Sequence, residues 1–261
     1  PESAPVKILI RTPNWLGDMV MSSGFVRTVL EAFPESQLIN VKSGFEKIPL
    51  PQRGQIIPFD PKKETAGNFG KTFAIKNNPE WLEKQLGSLE ISLPESFFVF
   101  TPGGILDGKT VASITFCTLA TLLHNVFGDP ILILGTEADV KSGAKISLGL
   151  DFVQNYCGQT SLSELLAILA KAKLLVGNDS GSMNLMSELQ RPQISIFGST
   201  SPDWTAPINP NATELSRKLS CSPCFSRTCR FAHYDCLKRI EPELVLEETL
   251  KLLTEKNQTE A

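Results

Sequence analysis

The chain has 261 residues, 41% of them hydrophobic and 20% charged, with a formal net charge of −3. That length supports one large or two modest α/β domains with ample core, and the weakly acidic balance gives no reason to expect a nucleic-acid partner. No apolar run reaches the roughly 18 residues of a membrane span, and residues 1–13 hold only a short apolar stretch flanked by prolines, so a cytoplasmic location is expected.

In chain order, Val6–Ile10 is β-rich and apolar and reads as a strand, followed by a turn at Thr12, Pro13 and Asn14. Residues 18–33 place Met19, Val20, Phe25, Val26, Val29 and Leu30 at helical spacing. Leu38–Val41 and Ile56–Phe59 read as further strands of one N-terminal sheet. The cations Lys42, Lys47, Arg53, Lys62, Lys63, Lys71 and Lys76 form either an ordinary solvated surface or a basic rim for an anionic, membrane-embedded partner. From Pro58 to Pro79 the chain is polar and rich in Gly, Lys and Asn, the signature of a loop or linker.

Beyond it, a helix is expected at Pro79–Leu86, and the pattern then alternates. Strands are predicted at Phe97–Thr101, Ile131–Leu134, Phe152–Tyr156, Leu174–Gly177 and Gln193–Phe197. Between them fall helices at Val111–Leu123, Ala138–Leu148, Leu162–Ala172 and Met183–Leu189. Such alternation with short connections implies a parallel sheet with right-handed crossovers. Ser161 with Glu164 three residues on forms a capping box for the helix beginning at Leu162. Leu215–Leu219 is strand-like, and Pro242–Leu253 is an amphipathic terminal helix.

The strongest functional signal is the strand Leu174–Gly177 running into Asn178, Asp179, Ser180 and Gly181. A strand that ends there and turns into a helix aims backbone N–H groups and the positive helix end at one point, where a diphosphate can sit. The competing reading is that Asp179 or Ser180 only caps the helix. A second strand end, Gly198 to Pro202, opens beside it, and ligands of open α/β sheets gather at such ends.

Residues 103–110, Gly-Gly-Ile-Leu-Asp-Gly-Lys-Thr, match the P-loop pattern and follow a strand. Taken alone they imply nucleotide hydrolysis, but no separate strand ending in a metal-binding Asp follows. Cys221, Cys224, Cys229 and Cys236 have the spacing C-x2-C-x4-C-x6-C, favourable for structural Zn²⁺ only in its first half. A zinc knuckle with His233 as substitute ligand, reduced thiols and oxidised pairs all stay open, and no metal is assigned.

Three motifs carry a resemblance. They are residues 14–21 (Asn-Trp-Leu-Gly-Asp-Met-Val-Met), Asp179-Ser180-Gly181 with Met183, and the run Ser201, Pro202, Asp203, Thr205, Pro207. In this order the chain resembles glycosyltransferase family 9, nearest its heptosyltransferase II branch. The resemblance implies the GT-B fold, two Rossmann-like α/β domains with parallel sheets facing across a cleft. The implied domains are an N-terminal acceptor side over 1–78, abridged relative to the family, a nucleotide-sugar-binding domain over 79–240, and a terminal helix over 241–261 packing back across the junction.

The implied activity is inverting transfer of heptose from ADP-heptose to the lipopolysaccharide inner core at the inner-membrane surface, by a monomer needing no cofactor. Asp18 is the implied base. The donor would be held by Gly103, Gly104, Lys109, Glu137 at the ribose, Thr160 at the adenine, and Asp179, Ser180 and Gly181. Asn184 stands where the family usually has His, and so cannot carry charge at neutral pH. A P-loop hydrolase and a non-catalytic nucleotide-sugar-binding protein remain the alternatives.

Overall fold

A computed structural model describes residues 7–9, 37–39, 79–103 and 113–259. The chain divides into two compact units, Pro1–Ser88 and Leu89–Ala261. In the first, β1 (Lys7–Leu9) and β2 (Gln37–Ile39) pair in parallel with Ile8 opposite Leu38, and α1 spans Pro79–Gly87. The expected helix over 18–33, the strand Ile56–Phe59 and the basic segment between Lys42 and Lys76 lie outside the described residues.

The second unit is a six-stranded parallel sheet. Its strands are β3 (Phe98–Thr101), β4 (Ile131–Ile133), β5 (Val153–Asn155), β6 (Leu174–Asn178), β7 (Gln193–Phe197) and β8 (Ala212–Ser216). They lie in the order β5-β4-β3-β6-β7-β8. The helices are α2 (Ser113–Phe127), α3 (Val140–Ser147), α4 (Leu162–Lys171), α5 (Gly181–Glu188), the short α6 (Pro202–Thr205) and α7 (Asp235–Lys238), and α8 (Pro242–Thr259). A parallel sheet covered on both faces needs strands that are apolar on both sides. Accordingly β3, β4, β6 and β7 are buried along their whole length.

Alternation along each strand sorts the core into two layers. Phe98, Phe100, Ile131, Ile133, Leu174, Val176, Ile194 and Ile196 join Phe116, Leu119 and Leu123 of α2, Ile146 of α3 and Val245 of α8 in one cluster. Phe100 and Phe116 meet there with ring centroids 5.1 Å apart and tilted, a favourable aromatic geometry. Helix α5 packs on β6 and β7 and touches α4. At the amino edge of the sheet Lys173 pairs with Asp129 at 2.6 Å and lies 4.7 Å from the centre of the Phe127 ring.

Ser161 caps α4 as its sequence implies: its hydroxyl accepts from Glu164 N at 3.3 Å and its own N–H donates to Glu164 Oε2 at 2.7 Å. The last strand differs from its expectation. β8 runs Ala212–Ser216 instead of Leu215–Leu219, because it pairs with β7 from Gln193↔Ala212 to Phe197↔Ser216 and stops where β7 stops. Leu219 still packs against the core, from the loop that follows. Helix α8 packs on α2, β7 and β8; the expected crossing of a domain junction involves residues outside those described.

Candidate functional site

Counting from β3, the strand order is 3-2-1-4-5-6, and the direction of winding reverses between β3 and β6. Ligands of doubly wound sheets bind at the carboxyl ends of the strands flanking that reversal. Here those ends are Thr101-Pro102-Gly103 and Asn178-Asp179-Ser180-Gly181.

The two ends are tied together by one buried side chain. Asn178, fully inaccessible, donates from Nδ2 to the carbonyl of Pro102 at 2.5 Å and, more weakly, to that of Gly103 at 3.5 Å. The strands also approach closely at Thr101↔Gly177, where a Cβ on Gly177 would run into the Thr101 hydroxyl. Gly103 is similarly constrained, since a Cβ there would collide with the Asp139 carboxylate. Both glycines are therefore required by close approach.

Helix α5 starts at the mouth of this crevice. Ser180 is its N-cap in extended conformation, with φ −153 and ψ 173, yet its side chain makes no capping hydrogen bond. The Ser180 hydroxyl is buried without a partner among the described groups. Asp179, 5% exposed, instead accepts the Thr200 hydroxyl through Oδ2 at 2.6 Å, which ties the β6 end to the β7 end. The capping reading of Asp179 and Ser180 thus does not describe what their side chains do. Asn184, 6% exposed, turns back to donate to the Ser180 carbonyl at 3.3 Å.

On the other side of β3, the ends of β4 and β5 are zipped by Tyr156 N–H to Ile133 O at 2.9 Å and Gly158 N–H to Gly135 O at 3.0 Å. Glu137 is exposed and its carboxylate lies over Gly158, whose φ of +74 suits glycine. That brings Glu137 beside the loop carrying Thr160, and the cap of α4 is Ser161, which leaves the Thr160 side chain outside that role. Cys157, beneath this loop, is 2% exposed; burial first, and then the nearby Asp139 charge, push its thiol up to about 12.

Gly103, Glu137, Thr160, Asp179, Ser180, Gly181 and Asn184 therefore fall on strand ends or first helical turns along one edge of one sheet. Asp18, Gly104 and Lys109 lie outside the described residues, as does most of the P-loop match. Three contributors were given no individual role from sequence. Asn178 was legible as the polar last residue of an apolar strand. Asp139 follows Thr136 in a capping-box pattern, and its Oδ2 accepts both the N–H and the hydroxyl of Thr136 at 2.8 and 2.7 Å. Thr200 has no local signal, because its role depends on which strand lies beside β7.

Sheet order, switch point and glycine-lined strand ends define a doubly wound α/β protein of the Rossmann class, with its ligand crevice between β3 and β6. The family model of glycosyltransferase family 9 (heptosyltransferase) matches residues 74–235, more than half of the sequence. The chain belongs to that family. It is 37% identical over 103 residues to lipooligosaccharide heptosyltransferase 2 of Campylobacter jejuni, covering 39% of this chain and 33% of that protein. Over 200 residues it is 29% identical to lipopolysaccharide heptosyltransferase 2 of Salmonella typhimurium, covering 70% of this chain and 57% of that protein. The chain thus spans between a third and somewhat over half the length of these curated relatives. In fold it is similar to E. coli ADP-heptose LPS heptosyltransferase II, with TM-score 0.74 and 18% identity over 97% of this chain and 100% of that one. The fold is that of the GT-B heptosyltransferases.

Proposed function

We propose that the chain is an inverting glycosyltransferase that moves heptose from ADP-heptose to the inner core of lipopolysaccharide, working as a monomer at the cytoplasmic face of the inner membrane. Family membership supports the reaction class. The observation that carries the donor site is the Asn178 clamp, which holds the β3 and β6 ends together at the switch point.

In this reading, backbone N–H groups at Ser180 and Gly181 take the diphosphate, joined by the Gly103-Gly104 loop and the Lys109 ammonium. Glu137 accepts the ribose hydroxyls and Thr160 borders the adenine. Asp179, held by Thr200, accepts hydroxyls of the sugar. Asp18 removes the proton of the acceptor hydroxyl, whose oxygen attacks the anomeric carbon from the face opposite the phosphate. The C–O bond to the phosphate breaks, its electron pair leaves with ADP, and the amide cradle stabilises the growing negative charge. Residues 1–78 would supply the acceptor side, 79–240 the donor side and 241–261 a helix joining them.

Calorimetry with ADP-heptose, ADP and UDP-linked sugars, on wild type and Asp179→Ala, tests the donor site. ADP-heptose is expected to bind wild type most tightly and to lose more affinity than ADP on Asp179→Ala. Asp18→Asn should keep donor affinity and lose ~100-fold or more in turnover, the scale of general-base catalysis. Equal binding of all nucleotides, or Mg²⁺-dependent phosphate release without acceptor that Lys109→Ala abolishes, would overturn the proposal in favour of nucleotide hydrolysis.

A further inference from the structure

The loop from Arg217 to Cys236 lies on the carboxyl end of β7, next to the crevice but not part of it. Cys224 and Phe225 donate their N–H groups to the Ser199 carbonyl at 3.0 and 2.7 Å, and the Ser222 hydroxyl donates to Gly198 O at 2.6 Å. Beneath this loop is a cavity lined by all four of its cysteines, Cys221, Cys224, Cys229 and Cys236, together with Ser199. None of the four is in a disulfide.

We propose that Cys221, Cys224, Cys229 and Cys236 form a tetrathiolate site for one thiophilic divalent cation, which fastens the 217–236 loop to the end of β7.

Two independent features support this. The first is convergence: thiols spread over sixteen positions of sequence line one cavity, while Cys117 and Cys157 stay apart from it.

The second is Ser199, 3% exposed, which lines the cavity with its hydroxyl unpartnered among the described groups and can donate to a ligating sulfur as an outer-shell group. His233 is the weaker ligand, because its Nδ1 already accepts the Asp235 N–H at 2.9 Å.

Among the described residues no three His, Cys, Asp or Glu side chains are arranged to hold an ion. Binding therefore requires the thiols to close inward to about 2.3 Å from the cation. Softness and charge select Zn²⁺ or Fe²⁺ over Mg²⁺ or Ca²⁺. The site is structural: Thr200, next to Ser199, is the residue that holds Asp179.

The test uses the full chain, reduced and stripped with a chelator, then reconstituted with Zn²⁺ or Co²⁺. One equivalent of Zn²⁺ is expected per chain, with a rise in melting temperature and protection of four of the six thiols from alkylation. Co²⁺ should give the intense visible ligand-field bands of a tetrahedral thiolate complex. Cys224→Ser should weaken binding beyond the ~10- to 100-fold cost of an outer-shell change, while Cys117→Ser leaves it unchanged. Should Cys224→Ser fail to fold, the Co²⁺ spectrum of the wild-type chain decides alone. Substoichiometric Zn²⁺ binding, an octahedral Co²⁺ spectrum, or equal loss in Cys117→Ser would overturn the proposal. None of these readouts depends on sugar transfer.

Discussion

Asn178 concentrates more of the crevice in one side chain than any other described residue. Its amide donates to two carbonyls of the neighbouring strand end in a site without water access. Asn178→Asp changes almost no volume, but sets a carboxylate against those carbonyl oxygens. Unfolding in urea at pH 7.5 should show a loss of at least ~3 kcal/mol, the upper end of the cost of an unmade buried hydrogen bond. The loss should shrink as pH falls, because the protonated carboxyl regains a donor. A loss that is equal at pH 5 and pH 8 would show that the donor role is not what matters.

The cysteines give a second residue-scale expectation. Cys157 has its thiol pushed up from 9.0 to about 12, burial being the main cause. Its folded pKa exceeds the unfolded one, so its contribution to stability is complete below pH 9 and is lost as pH rises towards 12. Within that window the unfolded chain releases a proton that the folded chain keeps, a slope of about 1.4 kcal/mol per pH unit. Cys157→Ala should flatten the fall in stability above pH 9. In chelator, mass-spectrometric alkylation timing should find Cys229 reacting first and Cys157 last, since thiolate character sets the rate.

At the scale of elements, the seam between β3 and β6 is set by Gly177. No larger residue fits against Thr101, and overpacking of this kind costs ~1–3 kcal/mol. Gly177→Ala should lower the free energy of unfolding in urea by that amount, and adding Thr101→Ala should restore most of it, a coupling that a double-mutant cycle measures. If the two substitutions simply add, the seam is not where the strain lies.

The elements were also where the sequence was most readable. Strands buried on both faces tend to be apolar runs, and Phe98–Thr101 and Leu174–Asn178 differ from their expected bounds by one residue; Gln193–Phe197 has the bounds expected of it although it buries the polar Gln193 and Ser195. The edge strand β8 buries only Leu215, so its sequence carried little of that signal and its bounds were set by pairing with β7. The same limit applies to the site. Glycines and polar residues at strand ends could be picked out, whereas the Asn178 and Asp179 partnerships depend on strand neighbours that no local pattern encodes.

For the whole molecule, the consequence is that a donor occupying the β3–β6 switch point would touch five loops that are far apart in sequence and adjacent in space. These are 101–103, 135–137, 158–160, 178–181 and 198–201, the carboxyl ends of β3 to β7 without exception. Binding energy is then shared by all five loops, and linkage adds about 2.7 kcal/mol to stability at a ligand concentration of 100 times Kd. Hydrogen exchange with saturating ADP should slow in all five segments together. The opposite edge, where Lys173 meets Asp129 and Gly128 closes α2, should not change. If Glu137 accepts the ribose hydroxyls as proposed, Glu137→Gln should weaken ADP while sparing inorganic diphosphate. Protection confined to a single loop would place the ligand elsewhere, away from the strand ends that lie side by side at the switch point.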